Sequence, residues 1–489
     1  MTRNPAKQLQ WVADSQFKMK ALRTSISKKS AIAGAAIATL LLVFGIAFQP
    51  ITDPINIAIS LITSLILLTA KSNSAFTHYT KIFLAISFCV LPHLQLGLGD
   101  NIYLPSLSYY DSSINTWFVL VLLGAICFTS LSYTNTKIIE RAPTQTKGGL
   151  NSRFLFFATL LSLGGLGFMY MSLGGMSSAI ELQRERLAVG VTEFDALTGL
   201  GPVQAIANTS AVWTYLWLRV CKPDSTILQA IALVSCTIIA YFASALFGNR
   251  QGVILSLLFS LMIDHLLVKK ISTKIIRGAT VAILFAPIAL IPLKFNLEST
   301  GNSDYTTAFN DARHLDLSAG PISFFLFRDI SRFDVQVIAI DQLLAGFPLA
   351  YGRSIAAGLL APIPSGMLTN KPPSFAAEKS ALFASSELTT ADTTTLLLGM
   401  PGELSVNFGL IAFPLTFGLS VLLIHIAEKF VYGKRPHLIP IGITLLPLPI
   451  LVFVFDSNVL SMYIFRWTLL LAAPLSVHML LNKKRSASQ

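Results

Sequence analysis

The chain has 489 residues, of which 53% are hydrophobic and only 12% charged, with a mean hydropathy of +0.65 and a formal net charge of +12. A soluble chain of this length does not reach those values. The apolar runs are each long enough to cross roughly 30 Å of hydrocarbon as helices, and none alternates with a two-residue period, which excludes a membrane barrel.

In chain order, residues 1–30 are basic and lack the cleavage-site pattern of a secretory peptide, so the first span is expected to stay as an anchor. Residues 7–29 read either as a helix on the inner leaflet or as a disordered basic tail. Twelve spans are expected near 31–48, 55–69, 82–98, 114–133, 154–173, 201–219, 226–247, 251–268, 278–294, 405–426, 438–455 and 465–481. The expected organisation is a basic cytoplasmic segment (1–30), a bundle of nine spans (31–294), one polar outer lobe (295–404), three further spans (405–481) and a short cytoplasmic tail (482–489).

Charge fixes the orientation. With both termini inside, the inner segments hold 25 of the 36 basic residues and 5 of the 24 carboxylates, a net +20, and the outer segments are a net −8. The overall basicity is thus a topology signal, with cytoplasmic lysines beside anionic lipid headgroups, and carries no nucleic-acid inference. Only Lys294, Lys371 and Lys379 of the 20 lysines lie outside, whereas the arginines divide eight to eight. A planar guanidinium binds phosphate bidentately, which an ammonium does not. The alternative for each arginine is pairing with an outer carboxylate. The four cysteines, Cys89, Cys127, Cys221 and Cys236, fall in spans or an inner loop, so the lobe has no disulfide or zinc framework.

Residues 174–200 form an outer loop in which Glu181, Arg184, Glu185 and Arg186 cluster beside Gly174-Gly175. At helical spacing these charges mostly satisfy one another. At Gly248-Asn249-Arg250 the seventh span turns into the eighth with almost no loop, which puts Arg250 at the outer boundary. It either snorkels to headgroups or serves a site, and it opposes the positive-inside trend.

In the lobe, Leu326, Ile330, Phe333, Val337, Ile340 and Leu344 recur at alternating steps of four and three, which predicts an amphipathic helix stopped near Ala345-Gly346-Phe347-Pro348. Arg328 and Arg332 are four apart on its polar side, near Asp329 and Asp334. The helix reads either as lying on the outer membrane surface with its guanidiniums aimed at lipid-borne phosphate, or as an ordinary packed helix with surface ion pairs. Tyr351-Gly352-Arg353 and the proline-rich stretch from Ala361 to Pro373 are turns. Residues 374–396 are either a mobile lid or a connection.

Glu403, in Gly399-Met400-Pro401-Gly402-Glu403, is expected in a first helical turn, where the dipole favours its anion and lowers its pKa. It reads equally as a helix cap or as the partner of an outer arginine. Arg466 lies just inside the last span, where an arginine usually faces a cavity or the bundle interior.

The ordered set of Gly-Asn-Arg at a tight outer turn, Arg-Phe in an outer helix, Tyr351-Gly352, Ile363-Pro364 and Lys371-Pro372, then Gly402-Glu403 with Asn407-Phe408-Gly409, resembles the Wzy-type O-antigen and oligosaccharide repeat-unit polymerases over residues 180–425. The resemblance implies an all-α polytopic membrane protein of the glycosyltransferase type C kind. It would join repeat units carried on undecaprenyl pyrophosphate at the periplasmic face of a bacterial inner membrane. Such a reaction stabilises a departing pyrophosphate and aligns or deprotonates a sugar hydroxyl. Arginines fit the first task without a metal or other cofactor.

The candidates for pyrophosphate binding are Arg250, Arg328, Arg332 and Arg353, with Arg184 and Arg186 beside them. Arg250 and Arg332 are expected to act in catalysis, with Glu403 chosen over the outer His314 as base. The expected partners are the lipid-linked oligosaccharide, membrane lipids and a chain-length regulator protein. The alternatives are an O-antigen ligase, whose lobe histidine motif is not matched by Arg313-His314-Leu315, and a lipid-linked oligosaccharide flippase or transporter, for which matching repeat halves are not seen. Metal-dependent relatives with acidic pairs in the first outer loop are disfavoured, since only Asp53 lies there.

Overall fold

The computed structural model describes residues 53–69, 75–98, 110–134, 150–179, 201–244, 250–269, 271–272, 278, 326, 330–363, 367–368, 372, 382–383, 397–433 and 435–488. Among them 85% are helical and no strand occurs, which fits a polytopic membrane protein. Eight helices among the described residues are long and apolar enough to cross a membrane. They match the expected spans three, four, five, seven, eight, ten, eleven and twelve. The second span is the shorter helix α1 (Pro54–Thr69), the sixth is the helix Gly201–Cys221, which is not among the eight, and the first and all but one residue of the ninth lie outside the described residues.

After α1 come α2 (Ala75–Ala85) and α3 (Leu91–Leu98), joined through a π-helical segment, Ile86–Val90. Pro92 explains the join: its nitrogen has no hydrogen to give to the carbonyl four residues back, and the wider π turn absorbs the missing bond. Then follow α4 (Asp111–Thr134), α5 (Ser152–Ser172), α6 (Gly201–Cys221), α7 (Thr226–Ala243) and α8 (Arg250–Ile263). With 21 residues at about 1.5 Å each, α5 spans roughly the hydrocarbon thickness. It packs along α6, which packs in turn along α7.

Next in the chain come α9 (Phe333–Leu344), α10 (Arg353–Leu359) and α11 (Gly399–Phe408). The remainder is α12 (Ala412–Tyr432), α13 (Ile439–Leu445), α14 (Leu448–Val454) and α15 (Ser457–Tyr463), which runs through a nine-residue π segment, Ile464–Ala472, into α16 (Ala473–Ser488). Pro447 and Pro449 break the eleventh span between α13 and α14, and Pro474 follows the second π segment.

An aromatic core holds the halves together. The Phe88 ring stacks on Trp117 at 5.7 Å and meets Phe417 and Phe453, each at 5.4 Å, while Phe333 of the lobe stands edge-on to Trp117 at 4.9 Å. At Gly124, a Cβ would collide with the Phe417 ring, so glycine is what lets α4 and α12 cross this closely. Arg219 Nε donates to Asp264 Oδ2 at 2.7 Å and the Tyr215 hydroxyl donates to the same oxygen at 2.8 Å, tying α6 to the end of α8.

The structure corrects the reading of the lobe helix. Leu326, Ile330 and Ser331 lie in π-helical turns, Arg332 is left-handed at φ 55°, and the regular helix starts only at Phe333. Arg332 therefore does not continue a helical face shared with residue 328. Nor does α9 lie on a membrane surface: residues 333–340 are all buried, against α4 and α11. The reason is compositional, because Val335, Ile338 and Ala339 extend the apolar stripe around the helix, and a helix apolar on all sides belongs inside. Its polar Gln336 is satisfied there, accepting from Trp117 Nε1 at 3.0 Å and donating to the Leu398 carbonyl at 2.7 Å.

Candidate functional site

The site is built where the lobe returns to the bundle. Tyr351 at φ 48° and Gly352 at φ 84° are consecutive left-handed residues, a conformation open to glycine and costly for tyrosine. They turn the chain sharply, so that Arg353 becomes the first residue of α10 with its side chain exposed. The turn is pinned to the end of α11. Ala350 N–H donates to the Val406 carbonyl at 3.0 Å, Tyr351 N–H to the Asn407 carbonyl at 3.1 Å, and Gly352 N–H to Asn407 Oδ1 at 2.8 Å. The first two bonds use carbonyls of a last helical turn that have no partner within the helix, and the third uses the Asn407 side chain.

Beneath the turn lies a buried relay. Asn407 Nδ2 donates to Ser354 Oγ at 2.7 Å, and the Ser354 hydroxyl donates to Glu403 Oε1 at 2.8 Å. From the other side, Ser457 donates its hydroxyl to Glu403 Oε1 and its N–H to Glu403 Oε2, both at 2.6 Å. Neighbouring Asp456 accepts from Gly399 N–H at 2.9 Å and so caps the start of α11. One carboxylate thus joins α10, α11 and α15, three segments far apart in sequence.

Space is tight at this junction. A Cβ on Gly358 would strike Ser457, and one on Gly399, at φ 68°, would strike the Phe453 carbonyl. Glycine is required at both positions for the backbones to approach.

The electrostatics of Glu403 reverse the expectation from sequence. It sits in the second turn of α11 rather than the first, outside the eight spans and with no exposed surface. Burial first, and then the charge of Asp456, push its pKa up to about 7, against the hydrogen bonds from Ser457 and Ser354 that favour the anion. Desolvation outweighs the dipole here.

Of the candidate catalytic and pyrophosphate-binding residues, three have side chains among those described. Glu403 is at the centre of the network, Arg353 stands exposed beside Ser354 of that network, and Arg332 is buried at the left-handed start of α9. Arg250 begins α8, and its side chain lies outside the described set, as do Arg184, Arg186, Arg328 and His314. Ser354 and Ser457 were not singled out. Their only sequence signals are their positions, one after Arg353 and one after Asp456, a strong helix-capping residue.

Further polar contacts join α1, α3 and α4. Asn56 Nδ2 donates to Asn115 Oδ1 at 2.7 Å, and Ser60 Oγ is 2.8 Å from His93 Nε2. The His93 ring lies on Phe118 at 4.9 Å, nearly parallel. Gln95 is fully buried. The trace in sequence is the run Asn56, Ser60, Thr63 and Ser64, polar residues on one face of an otherwise apolar helix. Comparison with known protein families, with curated proteins and with solved structures gives no match to this chain.

Proposed function

We propose that this chain is a metal-independent glycosyltransferase. It would polymerise undecaprenyl-pyrophosphate-linked oligosaccharide repeat units at the periplasmic face of a bacterial inner membrane. The observation that carries this reading is the turn Tyr351-Gly352-Arg353, held by a buried carboxylate network with the Arg353 side chain exposed. A rigidly held, permanently charged fork suits a pyrophosphate leaving group.

In the reaction, the anomeric carbon of the carried polymer exchanges its bond to a pyrophosphate oxygen for one to a hydroxyl of the incoming unit. The electron pair departs on the pyrophosphate, Arg353 stabilises that charge as it grows, and the proton of the attacking hydroxyl passes to the departing pyrophosphate. Arg250, Arg328 and Arg332, with Arg184 and Arg186, are the further candidates for holding the two phosphates. Glu403 acts in this reading as a positioning residue, since its oxygens are engaged by Ser354 and Ser457 and have no exposed surface.

The test is an electrophoretic profile of surface polysaccharide from cells lacking the chain and from cells carrying it again. Collapse of the long ladder to a single attached unit is the expected result. Loss of every attached unit would instead indicate a ligase or flippase, and an unchanged ladder would overturn the reading.

A further inference from the structure

Arg219 and Arg466 are both sunk into the helix bundle, but only the first has an anion beside it. Arg219 is 2% exposed and gives its Nε hydrogen to Asp264, which is fully buried. Arg466 has no such partner among the described residues, and its Nε is buried without a hydrogen bond. The side chain as a whole is half-buried, so its stem is enclosed while the terminal nitrogens reach accessible surface. It is the only Lys, Arg, Asp or Glu in the span Ser457–Asn482, and it stands nine residues beyond Ser457, roughly 13 Å along the axis. A lone cation inside a membrane span is costly, and such residues mark pathways and binding sites.

The neighbours of Arg466 do not supply the missing charge. Its segment packs against α6, α13, α15 and α16, none of which contains an aspartate or glutamate. Trp467 is turned toward Phe259 of α8 at 5.1 Å and Thr468 toward Thr444 of α13 at 3.2 Å. Helix α8 has no carboxylate either, and Asp264, just beyond its end, is taken by Arg219 and Tyr215. The backbone is unusual at the same place. Arg466 lies in the π segment Ile464–Ala472, nine residues long where single π turns are the rule, and π turns recur at functional sites. Pro474 accounts for one missing bond, to the Leu470 carbonyl, and not for the winding back to Ile464.

We propose that Arg466 is an anion site inside the bundle, and that its anion is a phosphate group carried on a lipid. A guanidinium held at its stem and open at its tip offers two parallel N–H bonds to phosphate oxygens. Its place within an apolar span favours a phosphate that arrives on a lipid over one dissolved in water. The site stands on Arg466 and its surroundings and does not depend on the polymerase reading. Two sources carry this chemistry, a prenyl diphosphate and the headgroup of an anionic phospholipid.

The experiment uses the full chain in dodecyl maltoside, a detergent without phosphate, with Arg353→Ala in every sample so that the exposed guanidinium does not contribute. The probes are farnesyl diphosphate, farnesol, phosphatidylglycerol and inorganic pyrophosphate, and bound probe is counted by native mass spectrometry. Farnesyl diphosphate or phosphatidylglycerol is expected to bind, with farnesol and inorganic pyrophosphate at least tenfold weaker. Arg466→Leu and Arg466→Gln should each weaken that binding at least tenfold and leave the melting temperature unchanged or raised, because no partner is orphaned. Arg219→Leu should lower the melting temperature, since it strands buried Asp264. Displacement of farnesyl diphosphate by an equal concentration of phosphatidylglycerol assigns the site to a phospholipid headgroup, and resistance to it assigns the site to a prenyl diphosphate. The proposal is overturned by unchanged affinity in both Arg466 variants, by no lipid probe binding while Arg466 is present, or by inorganic pyrophosphate binding as tightly as farnesyl diphosphate. A fall in melting temperature in Arg466→Leu as large as in Arg219→Leu would also overturn it, by revealing a carboxylate partner.

Discussion

Two sets of buried polar residues in this bundle, one on Glu403 and one on α1 and α3, are built on opposite principles. Around Glu403 every strong group of the carboxylate is spoken for by residues from three segments. On α1 and α3, Asn56, His93 and Gln95 are equally buried, and four of their polar atoms have no partner among the described residues. A saturated network fixes backbone, because removing any member orphans the others. Polar atoms that are left over fix little. Burial alone therefore does not say which polar residues hold the fold; the count of met hydrogen bonds does.

The sharpest way to break this comparison is to truncate one residue in each group. Glu403→Ala orphans the Ser354 hydroxyl and both Ser457 donors, and should cost about 3 kcal/mol or more. Gln95→Leu orphans nothing and should be neutral or slightly stabilising. Denaturant titration of the purified chain in detergent checks both, and equal losses would show that the two groups are the same kind of structure.

Asn407→Leu comes next. It removes the acceptor for Gly352 N–H and the donor to Ser354, so a loss of about 2 kcal/mol is expected. The turn at Tyr351 would be freed with it, and a protease nick appearing near Arg353 would report that release.

The third expectation concerns pH. The pKa of Glu403 is raised in the folded chain, to about 7, above its ordinary value of 4.5. A raised carboxyl binds its proton more tightly when folded, so its contribution is fully present below the unfolded value and disappears as pH rises through 7. Stability should thus fall between about pH 5 and 8, by something on the order of 3 kcal/mol. Glu403→Gln should flatten that slope, and a slope that survives in the variant would place its source elsewhere.

Arg353→Ala and Arg353→Lys should each change stability by less than about 0.5 kcal/mol, since the side chain is exposed. Both should shorten or abolish the polysaccharide ladder, the lysine variant included, because it keeps the charge and loses the fork. The smallest effect is expected at Lys269→Ala. Its pair with Asp224 at 2.8 Å is solvent-exposed and contributes under about 1 kcal/mol.

The membrane class and eight of the spans were legible in the chain because the signal is long and additive: some twenty apolar residues in a row leave few alternatives. The lobe was less legible. Its apolar stripe was found, but the stripe looked narrow because only six positions were followed, and Val335, Ile338 and Ala339 were passed over. The helix start was misplaced because nothing in the residue type announces that Arg332 leaves the helical region.

Glu403 was found as a residue and misread as an environment. Its pKa is set by Asp456 and by the burial that α10 and α15 provide, and those segments are brought beside it by folding. Spacing along the chain carries no trace of that meeting. The polar contacts of α1, α3 and α4 were missed for another reason: scattered Asn, Ser and His residues barely lower the hydropathy of a span, so their pairing shows only once the helices are packed.

The π segment Ile86–Val90 holds one residue more than a regular helix would carry through the same rotation. The wider turn takes that residue up locally, so deleting one residue within it should leave His93 facing Ser60 and Phe118. Deleting one residue between the segment and His93 would instead swing everything beyond by about 100° and take His93 from those partners, while Lys81, buried before the segment, would stay in place. Where in the helix a residue is lost thus matters as much as which residue it is.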